Sequence, residues 1–172
     1  MNDVTATSTE AVLSVSNSTV VVNGGNFSTT GTKSCFVNSY ANLTINKGTT
    51  TEGTFASGGA SCIQNSWGRV EINGGTITSD ADCTIKNRGS LRMNGGTVAT
   101  SNAEGTVIDC NGDFGDTQIN GGTIKGGKDG ILLKDLGSSG VTLKQATFED
   151  NTQSNIHLGE GQTINIKKTF TG

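Results

Sequence analysis

The chain has 172 residues, 31% of them hydrophobic and 16% charged, with 26 glycines, no proline and a formal net charge of −3. This length fits one domain, and the low charge excludes a disordered polyelectrolyte. The slightly negative balance creates no field that attracts nucleic acid, and no apolar run reaches the ~20 residues of a membrane span.

A six-residue block, typified by Ile72-Asn73-Gly74-Gly75-Thr76-Ile77, recurs along the chain. Its copies, some of them decayed, begin at Val22, Ile45, Ile72, Met93, Ile119, Leu143 and Ile166. A second block, typified by Cys62-Ile63-Gln64-Asn65, precedes most copies. The period is about 24 residues, and a unit this short buries its apolar face only by stacking on copies of itself.

Apolar and polar residues alternate within each block, as in Val70-Glu71-Ile72, which predicts short strands rather than helices. We therefore predict an all-β, single-stranded parallel β-helix of about seven coils over residues 12–172, with residues 1–11 as an N-terminal cap or arm. Three columns of core residues follow. They are Val15, Phe36, Ile63, Ile85, Val107 and Leu133; Val22, Ile45, Ile72, Met93, Ile119, Leu143 and Ile166; and Phe27, Ile77, Val98, Ile124, Phe148 and Phe170.

These blocks resemble the right-handed parallel β-helix of the pectin-lyase-like superfamily. Their pattern is most similar to adhesin-like surface repeats and to phage fibre or spike β-helices, from about residue 12 onward. The resemblance implies the handedness, and it implies a stacked asparagine ladder inside one turn. The members of this predicted structural ladder are Asn23, Asn46, Asn73, Asn94 and Asn120.

The only tyrosine and the only tryptophan, Tyr40 and Trp67, stand at the same turn position in neighbouring repeats, with Arg69 and Arg88 close in register. Aromatic faces flanked by guanidinium groups suit sugar rings and their acidic substituents. We take these four residues as the candidate ligand-binding site, against the alternative that the two rings only cover a corner of the core.

A candidate calcium site lies in the longest insertion, where Asp109, Asn111 and Asp113 alternate like the first ligands of a calcium loop and Asp116 follows. The match is weak because Phe114 stands where a glycine is expected. We therefore expect no obligatory cofactor.

Cys35 and Cys62 share a column on adjacent coils, and we expect them to face outward within disulfide range. The bond is predicted for an oxidising compartment and not for a reducing one. We expect Cys83 to face the core and Cys110 to enter a loop, without a bond between them.

No pattern of clustered acids, phosphate-binding loop or metal motif supports catalysis, and His157 is expected to be an outward surface residue. The favoured interpretation is a non-enzymatic binding module of a bacterial surface protein, adhesin-like, that displays turns to a glycan or to a host or cell-surface protein. The alternatives are an oligomeric phage fibre, spike or decoration protein, a relic of a polysaccharide lyase or hydrolase, and an ice-binding solenoid. The last rests on a threonine column at Thr49, Thr76, Thr97, Thr123, Thr147 and Thr169.

An extracellular, cell-surface or virion location fits these interpretations, although residues 1–12 lack the pattern of a signal peptide. The last coil ends without a capping helix, which predicts that a second subunit or a neighbouring domain covers it.

Overall fold

The computed structural model describes residues 2–46, 54–57, 60–112, 116–134 and 140–167. The chain winds as a right-handed parallel β-solenoid of about six turns with a repeat of about 23 residues, close to the count and the period that the sequence predicts. Each full turn contributes strands to three faces, which we name B, C and A in chain order. No helix in the described part of the chain is long and apolar enough to cross a membrane.

The strands are short, and every pair between neighbouring turns is parallel. Face B contains β2 (Leu13–Ser16), β4 (Phe36–Ser39), β7 (Ile63–Ser66), β10 (Cys83–Asn87), β13 (Thr106–Asn111), β16 (Asp129–Lys134) and β19 (Ser154–Leu158). Face C contains the first part of β3 (Thr19–Thr29), then β5 (Asn42–Ile45), β8 (Arg69–Ile72), β11 (Ser90–Met93), β14 (Thr117–Ile119), β17 (Val141–Leu143) and β20 (Ile164–Ile166). Face A contains β1 (Asn2–Ser8), the second part of β3, β6 (Thr54–Ser57), β9 (Thr76–Ser79), β12 (Thr97–Thr100), β15 (Thr123–Lys125) and β18 (Thr147–Glu149).

Two of the three predicted core columns have the register that the sequence indicates. On face C, Val22 is followed by Ile45, Ile72 and the rest of its column to Ile166. On face A, Phe55 lies between Phe27 and Ile77, and the column continues to Phe148. Phe170 lies outside the described residues. Ile166, at the end of the face C column, is exposed. Burial of one such side chain contributes roughly 1.5–3 kcal/mol, so the buried members of these columns form the core.

The predicted column on face B is wrong in register. Phe36 pairs with Leu13 rather than Val15, and Ile85 pairs with Ile108 rather than Val107. At or near the starts of β4, β7, β10, β13 and β16, two consecutive residues are buried, such as Cys62 and Ile63. Both side chains enter the interior at the bend, which interrupts the alternation on which the prediction depended.

Within residues 1–11, which the sequence predicts as an N-terminal cap or arm, Asn2–Ser8 forms a strand that joins face A. Strand β1 pairs in parallel with the second part of β3, from Asn2 opposite Asn23 to Ser8 opposite Thr29. The parallel pairing therefore begins before the domain boundary that we place at residue 12.

Candidate functional site

A buried column of asparagines shapes the corner between faces B and C. Asn38, Asn65 and Asn87 lie at equivalent positions in three successive turns and are almost fully buried. Asn38 Nδ2 donates to Asn65 Oδ1 at 2.8 Å, and Asn65 Nδ2 donates to Asn87 Oδ1 at 2.7 Å. We call this column the buried ladder.

The buried ladder also binds the backbone of the turn that follows it. Asn65 Nδ2 donates to the carbonyl oxygen of Gly68 at 3.1 Å, and Asn87 Nδ2 donates to that of Gly89 at 2.8 Å. The turn passes so close that a Cβ atom on Gly89 would lie 2.2 Å from the Gly68 oxygen. Glycine is therefore the residue that fits here. The Gly68 carbonyl oxygen also accepts from the Ser90 amide, so the ladder adds a second hydrogen bond to it.

The buried ladder ends at an apolar residue on one side and at a thiol on the other. Val15 precedes Asn38 in the column, and Asn38 Oδ1 has no hydrogen-bond partner among the described residues. Cys110 follows Asn87, and its sulfur lies 3.5 Å from Thr117 Oγ1. This column was not predicted from the sequence, although an asparagine is the last residue of the second repeat block in each of these three turns.

Tyr40 and Trp67 follow the ladder at the outside of the same corner. Their rings stack with centroids 6.5 Å apart and planes inclined by 13°. Both are exposed, Tyr40 by 62% and Trp67 by 45%. Both backbones are left-handed, with φ of 50° for Tyr40 and 62° for Trp67, and Asn17 has φ of 48° in the preceding turn.

The two candidate arginines lie on different sides of this corner. Arg69 begins β8 on face C, and its Nη2 binds Glu71 Oε2 at 3.1 Å. Glu71 therefore pairs within its own strand, although Arg92 is its register partner. Arg88 is exposed and lies in the next turn after Trp67, where its amide binds the Asn65 carbonyl oxygen. The structure thus places the Arg88 backbone on the turn next to Ser66 and Trp67, whereas Arg69 lies on face C.

The predicted ladder residues form a second column, at the corner between faces C and A. Each later asparagine donates from Nδ2 to the Oδ1 of the preceding one, over 2.7–2.9 Å. This column, which we call the exposed ladder, comprises Asn23, Asn46, Asn73, Asn94 and Asn120. Its side chains are accessible to solvent, so the expected position inside the turn is wrong.

The calcium candidates do not converge. Asp109 points out of face B beside its register partner Lys86, and burial raises the pKa of its carboxyl while Lys134 opposes that rise. Asp116 binds Gln118 Nε2, Asn111 ends β13, and Asp113 lies outside the described residues. In the described ranges, no three His, Cys, Asp or Glu side chains gather to hold a metal ion.

The cysteines have different orientations from those expected. Cys35 and Cys62 are fully buried rather than outward, and they are free thiols joined by a hydrogen bond. They face inward because the chain bends at the start of face B, and their disulfide stays a prediction. Cys83 is half-exposed, and Cys110 is buried on β13 instead of lying in a loop.

Burial protects most of these thiols from ionisation. It raises the pKa of Cys110 to about 12 and raises the pKa of Cys62 well above its ordinary value. Burial also raises the pKa of Cys83, although the hydrogen bond between Ser61 Oγ and Cys83 Sγ, at 3.0 Å, opposes the rise.

A polar cluster near the end of face B was not predicted from the sequence. Asp129 is buried and has Ser154 Oγ at one carboxylate oxygen and His157 Nδ1 at the other, 3.1 Å away. His157 is therefore paired rather than a free surface residue. Both oxygens of Asp129 have a partner, which is typical of a structural cluster.

No protein-family model matches the chain, and neither a curated protein nor a solved structure is significantly similar to it. The fold alone defines the class: the chain is a parallel β-solenoid protein built from stacked repeats.

Proposed function

We propose that the chain is a rigid, non-enzymatic binding module and that the Tyr40–Trp67 pair is its contact site for a glycan. The observation that carries the proposal is the combination of exposure and backbone strain at the two rings. A left-handed backbone costs an ordinary residue roughly 1–2 kcal/mol, whereas glycine or asparagine adopts it easily. Asn17 occupies the same conformation one turn earlier.

Stability alone does not account for large aromatic residues at this corner. Burial of their apolar area would stabilise the fold, yet both rings are exposed. Strained backbone and exposed aromatic surface are both typical of binding sites. Two nearly parallel rings present a flat apolar surface with a cation, Arg88, one turn away, and this arrangement fits the faces of sugar rings.

The wider assignment rests on the sequence pattern. The repeat blocks resemble pectin-lyase-like β-helices and adhesin-like surface repeats, and a surface module contacts glycans or host proteins from an extracellular or virion location. The oligomeric phage-fibre alternative differs in one measurable respect. Light scattering after size exclusion gives a trimer or another stable oligomer for the fibre and a monomer for the module.

A glycan array followed by fluorescence titration tests the proposal, because Trp67 is the only tryptophan and reports directly from the site. We expect binding to shift its emission. The Trp67→Asn variant lacks this fluorophore, so the glycan affinities of Trp67→Asn and of Tyr40→Asn are measured by calorimetry. Both variants should keep the fold, because asparagine suits the left-handed backbone, and should bind about tenfold more weakly or worse.

Thr147→Ala, an exposed change on face A, is the matched control and should bind like the wild type. Unchanged affinity in Trp67→Asn removes the aromatic pair as the site. An array without any bound glycan contradicts the proposed function as a whole.

A further inference from the structure

A broad groove lies at the corner between faces A and B and on the outer side of face B, and neither Tyr40 nor Trp67 lines it. Its volume is about 840 Å³, and it runs from the loops between faces A and B onto the outer side of β4, β7 and β10. Val37, Gln64 and Lys86 are successive register partners on its sheet side. Neither the repeat pattern nor the aromatic residues indicated this groove in the sequence.

The chemistry of the groove favours an uncharged ligand rich in hydroxyl groups. Its carboxylates, from Glu10, Asp80 and Asp82, outnumber its amines, from Lys33 and Lys86. Serine and glutamine side chains, which both donate and accept hydrogen bonds, also line the groove. A polyanion meets repulsion from the carboxylates, whereas sugar hydroxyls find both donors and acceptors.

The aromatic residues directly follow β4 and β7, two of the strands that line the groove. Val37 precedes Tyr40 by three residues, and Gln64 precedes Trp67 by three residues, which corresponds to about 10 Å along an extended chain. Ser39 and Ser66 connect the two regions as register partners. A ligand that lies parallel to the strands therefore reaches from the rings into the groove.

We infer that the groove is an extension of the Tyr40–Trp67 site, and that the ligand is a neutral oligosaccharide of several sugar units lying along the strands of face B. This inference rests on the proposed function and names its ligand class. The rings hold one end by stacking, and the groove binds the following units through hydrogen bonds.

The test measures how affinity depends on the length of the oligosaccharide. The neutral probes are cello-, manno- and chito-oligosaccharides from monomer to hexamer, and oligogalacturonates are the charged counterparts. For the wild type, we expect affinity for a neutral series to rise with length and to exceed that for the charged series. Gln64→Ile, on an exposed strand position, should bind short probes normally and the longest about tenfold more weakly, as one or two lost hydrogen bonds imply.

Alkylation of Cys83 with N-ethylmaleimide provides a second block, because Cys83 lines the groove while the other three cysteines are buried. The adduct should abolish the rise in affinity with oligosaccharide length, and Cys83→Ser treated in the same way should retain that rise. Gln118→Ile, on the outer side of β14 on face C, is the matched control for Gln64→Ile.

The possible failures are distinct. Two results would contradict the role of the groove and leave the proposed function intact. One is binding that depends on Trp67 but whose affinity does not rise with oligosaccharide length. The other is a rise in affinity with length that persists both in Gln64→Ile and after alkylation of Cys83. Tighter binding of oligogalacturonates overturns the ligand class. An absence of binding to every glycan contradicts the proposed function itself and the inference with it.

Discussion

The two asparagine ladders have the same side chains and the same bond between amides, but they lie in different environments. The buried ladder is shielded from water and binds backbone carbonyls at the B–C corner. The exposed ladder lies at the C–A corner, where water can replace each lost bond. An amide bond stabilises a fold mainly where its loss leaves buried groups unsatisfied, so the two columns should differ strongly in energetic weight.

The largest difference is expected between Asn65→Ala and Asn73→Ala. Asn65 is bonded to both neighbours of the buried ladder and to the Gly68 carbonyl oxygen, so its loss should lower the free energy of unfolding by roughly 3–4 kcal/mol. Asn73→Ala should lower the free energy of unfolding by less than about 1 kcal/mol. Urea denaturation of both variants measures the difference, and similar costs would contradict the comparison.

Substitution of a glycine by alanine at each corner should give the next largest difference in stability. In Gly89→Ala the new methyl group lies 2.2 Å from the Gly68 carbonyl oxygen, so the buried ladder or the backbone must shift, at roughly 2–3 kcal/mol. In Gly95→Ala, at the exposed ladder, the nearest atom is 3.0 Å away. The melting temperature of Gly95→Ala should therefore fall less, and an equal fall would show that both corners are equally tight.

Extension of the buried ladder should change the stability less than loss of one of its members does. Val15→Asn places an amide next to Asn38 in the column. Its Nδ2 can donate to Asn38 Oδ1, which has no partner in the described part of the chain. Despite burial of a polar group, we expect stability within about 1 kcal/mol of the wild type. The control is Val98→Asn, between Ile77 and Ile124, which should cost roughly 3 kcal/mol. Equal losses in chemical denaturation would refute the extension.

The smallest expected effect is the dependence of stability on pH. The asparagines of the ladders do not titrate, but Asp109 does, and it is adjacent to Cys110, which follows the buried ladder in its column. Burial raises the pKa of Asp109 above its ordinary 3.8, so the folded state holds this proton more firmly than the unfolded state does. Its stabilising contribution is complete below the unfolded pKa and is lost as pH rises through the folded pKa.

Asp109→Asn removes that loss. We expect the variant to be more stable than the wild type at neutral pH, with the advantage shrinking as the pH approaches 3.8. Thermal denaturation across this range measures it. An advantage that grows toward acid would give the opposite sign and would mean that Lys86 and Lys134 dominate the environment of Asp109.

Much of this molecule could be predicted from local patterns. The blocks around Ile72, Met93 and Ile119 indicated the strands and two core columns in correct register, because alternation along a strand is a local property. The shared turn position of Tyr40 and Trp67 followed from the repeat length. The inward pair Cys62-Ile63 could not be predicted, because a bend directs two consecutive side chains to the same side.

The sequence by itself determined the repeat, the parallel stacking and the residues of two core columns and of the exposed ladder, since these depend on spacing along the chain. Only the tertiary structure decided which asparagine column is buried, where the thiols point and where the groove lies relative to the aromatic pair. Those properties depend on the direction in which each corner bends, and that direction follows from the packing of all three faces together.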